Sequence, residues 1–179
     1  LPDYTRDAPR PAPQPSVEDS FDDIRMSSGE VVQQLPVLVR EWDVAQAKQL
    51  LAFIPTVAAE GLVPSDYRAE ALSAAIAQGP GTTLNETASE IFVWLVEDLR
   101  DGRTPMDARR QWFVVDPDPD VLPSHVLLET AVASGDIAGT LAGLNPVSPD
   151  YARLKEELAR TTDPAKRKLI RANMDRWRW

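Results

Sequence analysis

The chain holds one histidine, His125, and it follows Ser124. A hydroxyl beside an imidazole is raw material for general-base catalysis, but the pair needs a third group placed by the fold. Both residues stand at the start of a predicted helix. We read Ser124 as its N-cap and His125 as a first-turn residue. Asp116, Asp118 and Asp120 have the first, third and fifth positions of a calcium loop. Val121 stands where that loop needs glycine and Leu127 where it needs a bidentate glutamate, so the segment reads as an acidic solvated loop. Gly79-Pro80-Gly81-Thr82-Thr83 precedes a helix, as phosphate cradles do. It lacks the lysine and spacing of a P-loop and reads as a turn plus N-cap. Glu97, Asp98 and Asp101 crowd carboxylates at the negative end of a helix. Pairing with Arg100, Arg103, Arg109 or Arg110 makes them a structural ion network rather than acid–base machinery. Residues 166–179 mix bases with Trp177 and Trp179, a composition that can stack on nucleic acid or lie on an anionic surface. Their apolar positions have helical spacing, so we read a docked helix with its basic side in water. No catalytic, cofactor-binding or metal-ligating residue is assigned, and no cofactor is implied.

Composition bounds the remaining chemistry. None of the 179 residues is cysteine, which excludes a disulfide framework, a thiolate zinc site and a thiolate nucleophile within the chain. One histidine excludes a multi-histidine metal site. The net charge of −9 is uneven: residues 1–30 carry seven acids and three bases, 31–150 seventeen and seven, and 151–179 four and nine. An acidic body argues against nucleic-acid binding, which needs a basic face. No apolar run approaches the roughly 18 residues of a membrane span. Leu1 is not a start methionine, so the sequence reads as processed or excised, with any signal peptide already removed.

The elements that must position these residues follow from pattern. Residues 1–30 alternate prolines with polar and acidic residues, which predicts a flexible, extended tail. Residues 31–179 form the domain. Pro36 argues against a helix before Trp42 and leaves a short strand at 36–41 as an option. Asp43 caps the first helix, with Gln46 three residues on. Its stripe is Val44, Ala47, Leu51, Ile54 and Ala58; Pro55 kinks it and Gly61 ends it. A second helix opens at Pro64-Ser65-Asp66, with Tyr67, Ala71, Leu72, Ala75 and Ile76 inward. A third opens on a Thr83-x-x-Glu86 capping box and carries the strongest stripe: Leu84, Ala88, Ile91, Phe92, Leu95 and Leu99. Gln111 to Val115 is a strand candidate. Short helices follow at 123–134 and 136–144. Ser148-Pro149 and Asp163-Pro164 open two more. The last should pack Leu169, Ile170, Met174 and Trp177 on the body, leaving Trp179 less buried. The predicted fold is all-α, a compact bundle of six or seven helices with at most one or two short strands.

Four pieces of this text, in order, carry a family resemblance. Lys168-Leu169-Ile170-Arg171-Ala172-Asn173-Met174-Asp175-Arg176-Trp177-Arg178-Trp179 resembles the junction helix of the large murein L,D-transpeptidases of Gram-negative bacteria, with its "N-M-[DE]-R-W-R-W" pattern. Glu60-Gly61-Leu62-Val63-Pro64-Ser65-Asp66-Tyr67 resembles that family's "D-G-L-x-P-x-D-Y". Asp98-Leu99-Arg100-Asp101-Gly102-Arg103 resembles its "D-L-R-x-G-R", followed by Pro105 and Trp112. Leu144-Asn145-Pro146 and Pro149-Asp150-Tyr151 to Leu154 resemble its "L-x-P…P-x-Y-x-x-L". The likeness covers about residues 31–179. Pro55 departs from it by interrupting a helix expected to be continuous.

The resemblance implies that these residues are the helical scaffold domain of such an enzyme. In the family a catalytic domain with an "S-H-G-C" nucleophile motif follows, and it cross-links peptidoglycan stem peptides through a cysteine acyl-enzyme. None of that motif stands in this sequence, so no catalytic residue carries over. The implied partners are a covalently following catalytic domain and peptidoglycan, with no nucleic acid and no membrane span. The implied location is the periplasm, in cell wall biogenesis. The alternative is a stand-alone helical adaptor that binds a cell-envelope protein.

Overall fold

The computed structural model describes residues 39–104 and 122–179. Among them the chain forms seven α-helices and no strand. They are α1 (Val44–Phe53), α2 (Ala69–Gln78), α3 (Thr82–Arg100), α4 (Ser124–Ser134), α5 (Ile137–Ala142), α6 (Pro149–Arg160) and α7 (Pro164–Arg176). Two 3-10 segments, Ile54–Glu60 and Pro64–Tyr67, lie between α1 and α2. The all-α bundle expected from periodicity is what forms. The tail 1–30, the strand candidate Gln111 to Val115, and the acidic loop of Asp116, Asp118 and Asp120 lie outside the described residues.

The central element is α3. Leu84, Ala88, Ile91, Phe92, Leu95, Val96 and Leu99 are buried on it, together with Ser89 and Asp98. These positions wrap most of the helix circumference, so neighbours must cover it on several sides. α1, α2, α4 and α5 do so. Burying each large apolar side chain contributes roughly 1.5–3 kcal/mol, which makes α3 the spine of the main core.

Local signals hold where they are local. Asp43 accepts from the Gln46 N–H at 2.7 Å, and the Gln46 side chain accepts from the Asp43 N–H at 3.2 Å, a complete capping box. Ser148 and Asp163 cap α6 and α7 ahead of Pro149 and Pro164. Elsewhere the structure corrects the pattern. No strand forms at Val39 to Glu41. The Arg40 N–H donates to Ser89 Oγ at 3.0 Å and the Trp42 N–H to Asn85 Oδ1 at 2.9 Å, so α3 side chains take the place of a strand partner. α1 does not kink at Pro55; it ends at Phe53 and tightens into a 3-10 segment with Pro55 in its first turn. Leu50 and Val57 are buried where Leu51 and Ala58 were expected.

Pro64 opens a 3-10 turn rather than α2 itself. Arg68 then takes a left-handed conformation at φ 48°, and α2 begins at Ala69. Two predicted caps are absent. Gly81 precedes α3, so Thr83 lies inside the helix and makes no box with Glu86. Pro123 precedes α4, so Ser124 is its first residue rather than its cap, and its hydroxyl accepts from Arg100 Nη2 at 3.5 Å.

α6 and α7 form a hairpin with a small core of its own: Tyr151, Leu158, Ile170 and Met174, flanked by Leu154. α6 meets the main body at the Ile54–Glu60 segment. Ile170 and Met174 pack as expected. Leu169 and Trp177 do not: they are 61% and 45% exposed. Arg178 is buried instead, because the last turn rotates its guanidinium inward to meet polar partners.

Candidate functional site

The polar residues of the four motif pieces meet inside the molecule, in two adjoining sets. The first centres on Glu60, which ends the 3-10 segment after α1. Tyr151, in the first turn of α6, donates its hydroxyl to Glu60 Oε2 at 2.8 Å. Lys155, one turn further along, donates to Glu60 Oε1. Arg178, just past α7, donates Nη2 to the Glu60 carbonyl at 2.7 Å and to the Tyr151 oxygen at 2.6 Å. Its guanidinium also stands over the Tyr151 ring, 5.6 Å from the centroid. Arg171 adds a bond from Nε to the Gly61 carbonyl at 2.8 Å. Gly61 is glycine for two reasons. Its φ is +78°, and a Cβ there would sit 3.3 Å from Met174 Sδ.

The second set joins the end of α3 to the end of α7. Asp175 is buried and accepts the Arg103 N–H at 2.7 Å on Oδ1. Its Oδ2 accepts from Thr104 Oγ1 at 2.5 Å and from the Trp179 indole N–H at 3.2 Å. Arg103 Nη1 pairs with Asp66, and its Nε lies 3.5 Å from Asp98 Oδ2. The Tyr67 hydroxyl donates to the same Asp98 oxygen at 2.8 Å. Gly102 lets the chain pass beside Asp175: its φ is +76°, and a Cβ would fall 2.8 Å from Asp175 Oδ1.

Burial pushes the Tyr151 hydroxyl well above the ordinary phenol range; the Arg178 guanidinium offsets part of that, while Glu60 pushes the same way. A phenol held neutral in this fashion serves as a hydrogen-bond bridge. It accepts from a cation and donates to an anion and so bridges the two, while among the described residues Arg178 Nε is buried without a hydrogen-bond partner. Directional bonds between buried charged groups restrict their arrangement, because a displacement strands a charge.

Sequence reasoning anticipated part of this set. Of the expected carboxylate network, Asp98 joins Arg103 in the interior and Asp101 pairs with Arg100 at 3.0 Å. Arg109 and Arg110 lie outside the described residues. Among the described residues, Ser124 and His125 sit at the opening of α4 outside both sets, and the Ser124 hydroxyl accepts from Arg100 Nη2. Gly79 and Gly81 form the inter-helix turn ahead of α3. Glu60, Lys155, Tyr151 and Arg178 were missed as a unit. The signal was the resemblance itself, which placed each of the motif pieces in the text without showing that they converge.

Comparison with known proteins adds one match. Residues 38–158 match the model of a family described as Scaffold domain. No curated protein and no solved structure matches. The matched span ends within α6, so Asp175, Arg178 and Trp179 lie beyond it.

Proposed function

This chain belongs to the Scaffold domain family, and from that premise we propose that it is the non-catalytic scaffold portion of a periplasmic peptidoglycan L,D-transpeptidase. In this reading it supports a C-terminal cysteine catalytic domain that cross-links stem peptides in cell wall biogenesis, and peptidoglycan is the partner of the whole. The chain's own part is to hold and aim. The observation that carries the reading is the double anchorage of the last turn. Arg178 is tied to Glu60 and Tyr151, while Asp175 is tied to Arg103, Thr104 and Trp179. A polypeptide leaving Trp179 therefore starts from a fixed position and direction, which is what a platform for a second domain requires. The transferase chemistry belongs to the cysteine domain, since this chain has no thiol to form an acyl-enzyme.

Sequencing the reading frame past Trp179 and assaying its product tests this. The longer protein should convert tetrapeptide-bearing muropeptides to cross-linked dimers, and residues 1–179 alone should release neither dimer nor terminal D-alanine. A stop codon directly after Trp179, or a downstream segment without a Ser-His-Gly-Cys nucleophile, overturns the reading in favour of a stand-alone adaptor.

A further inference from the structure

A groove of about 980 Å³ runs between α6 and α7 and ends at the chain's last aromatic residues. Leu154, Trp177 and Trp179 line it, with Asn173 and several charged side chains around them. Its volume is at the upper end of small-ligand clefts. Among the described residues, Val39, Leu122, Val147, Leu169 and Trp177 are the exposed large apolar side chains, and of these Trp177 alone lies in the groove. The apolar surface on offer is therefore about the size of one or two rings. A protein partner would need a larger desolvated centre, typically some 800 Å² on each side.

The rim decides the charge of the occupant. Arg153 pairs with Asp150 at 3.2 Å, and Arg160 lies 3.6 Å from Glu156 and 3.9 Å from Glu157. Lys166 pairs with Glu157 at 2.6 Å, and that hydrogen bond holds the Glu157 carboxyl below the usual carboxylate range. The charged lining of the groove is three acids, Asp150, Glu156 and Glu157, and three bases, Arg153, Arg160 and Arg176, with no dominant sign, and Lys166 stands outside it. Such a rim gives no electrostatic advantage to a polyanion or a polycation. It does offer many donors and acceptors to an uncharged ligand that is dense in hydroxyl and amide groups. The aromatic floor selects the same ligand. The negative face of an indole ring attracts the weakly positive C–H face of a saturated sugar ring. Trp179 is held in place by its indole bond to Asp175, and Trp177 stands partly exposed beside it.

We propose that the α6–α7 groove, floored by Trp177 and Trp179, binds an uncharged oligosaccharide by stacking on the indoles and hydrogen bonding to the charge-balanced rim. The groove geometry carries this; the proposed function supplies only the choice of amino sugar as probe. The test uses residues 1–179 and chitotetraose, a β-1,4-linked N-acetylglucosamine tetramer, followed through the indole N–H signals in heteronuclear NMR spectra. The Trp177 and Trp179 signals should shift saturably with millimolar affinity. Trp177→Ala should weaken binding about tenfold or more, and Trp177→Phe should restore most of it, since a smaller aromatic face remains. Absence of a saturable shift by about 10 mM overturns the proposal, as does unchanged binding by Trp177→Ala. So does movement of the same signals with protein concentration alone, which would make a second copy the occupant. None of these outcomes bears on whether a catalytic domain follows Trp179, so the two readings fail separately.

Discussion

Tyr151 shows at the scale of one residue why the interior is arranged for rigidity. Its oxygen stands between a carboxylate it donates to and a guanidinium it accepts from. Tyr151→Phe keeps the ring and its packing but leaves Glu60 Oε2 and Arg178 each short of a partner. The expected cost is about 1–3 kcal/mol in urea melts at neutral pH, the range for a stranded buried polar group. The same residue sets an alkaline limit. Its folded pKa lies above the unfolded phenol value of 10.0. Beyond that pH the unfolded chain sheds a proton that the folded chain keeps, so stability must fall as pH rises. The contribution is whole below the unfolded value and is lost progressively above it. Melts at about pH 9 and about pH 11 should show a shallower decline in Tyr151→Phe than in the parent chain. An equal decline would mean that Tyr151 ionises as readily folded as unfolded. Gly102→Ala probes the other anchor. The left-handed φ and the close approach of Asp175 Oδ1 should together cost about 1–3 kcal/mol, whereas Gly135→Ala meets no neighbouring atom and bears only the backbone strain of its φ of +75°.

The last helix separates, at the scale of elements, what the text could show from what it could not. Caps were legible: Asp43 with Gln46, Ser148 with Pro149, and Asp163 with Pro164 are interactions within three residues, so spacing alone specifies them. Phase was not. Within α1 the buried position is Leu50 rather than Leu51, and past the change to a 3-10 segment at Ile54 it is Val57 rather than Ala58. The network was less legible still. Its bonds join Glu60 to Tyr151, Lys155 and Arg178, positions about a hundred residues apart, and no local period encodes that meeting. Helical spacing also placed Trp177 in the core beside Met174. The structure keeps Met174 buried and turns Trp177 outward as the helix closes, with Arg178 swinging in. Met174→Ala should therefore cost about 2–5 kcal/mol in denaturant melts. Trp177→Ala should lose far less, near the range of about 0.5 kcal/mol found for surface substitutions. The reverse order would return Trp177 to the core and remove the floor of the groove.

The whole molecule is built from two unequal cores. The larger runs from Trp42 through α3 to Leu141, and the smaller is confined to the α6–α7 hairpin. What joins them includes the buried polar set: Glu60 with Tyr151, Lys155 and Arg178, the Gly61 carbonyl with Arg171, and Asp175 with Arg103 and Thr104. Apolar contact is non-directional and tolerates sliding, whereas the hydrogen bonds of this set are directional. The hairpin should therefore open as its own unit when the set is cut, with the body intact. Asp175→Ala leaves the Arg103 N–H, the Thr104 hydroxyl and the Trp179 indole N–H without their acceptor. At about 1–3 kcal/mol for each group left unsatisfied, amide exchange across α6 and α7 should quicken by roughly tenfold or more. Amides in the middle of α3, which exchange only through global unfolding, should quicken by the same factor yet stay slower than those of the hairpin. Native-state hydrogen exchange read helix by helix makes the distinction. If α3 and the hairpin exchange at one common free energy, in the parent chain and in the variant alike, the two cores unfold as one. The polar set then stabilises the entire fold instead of aiming its last helix, and the case for a platform loses the observation that carries it.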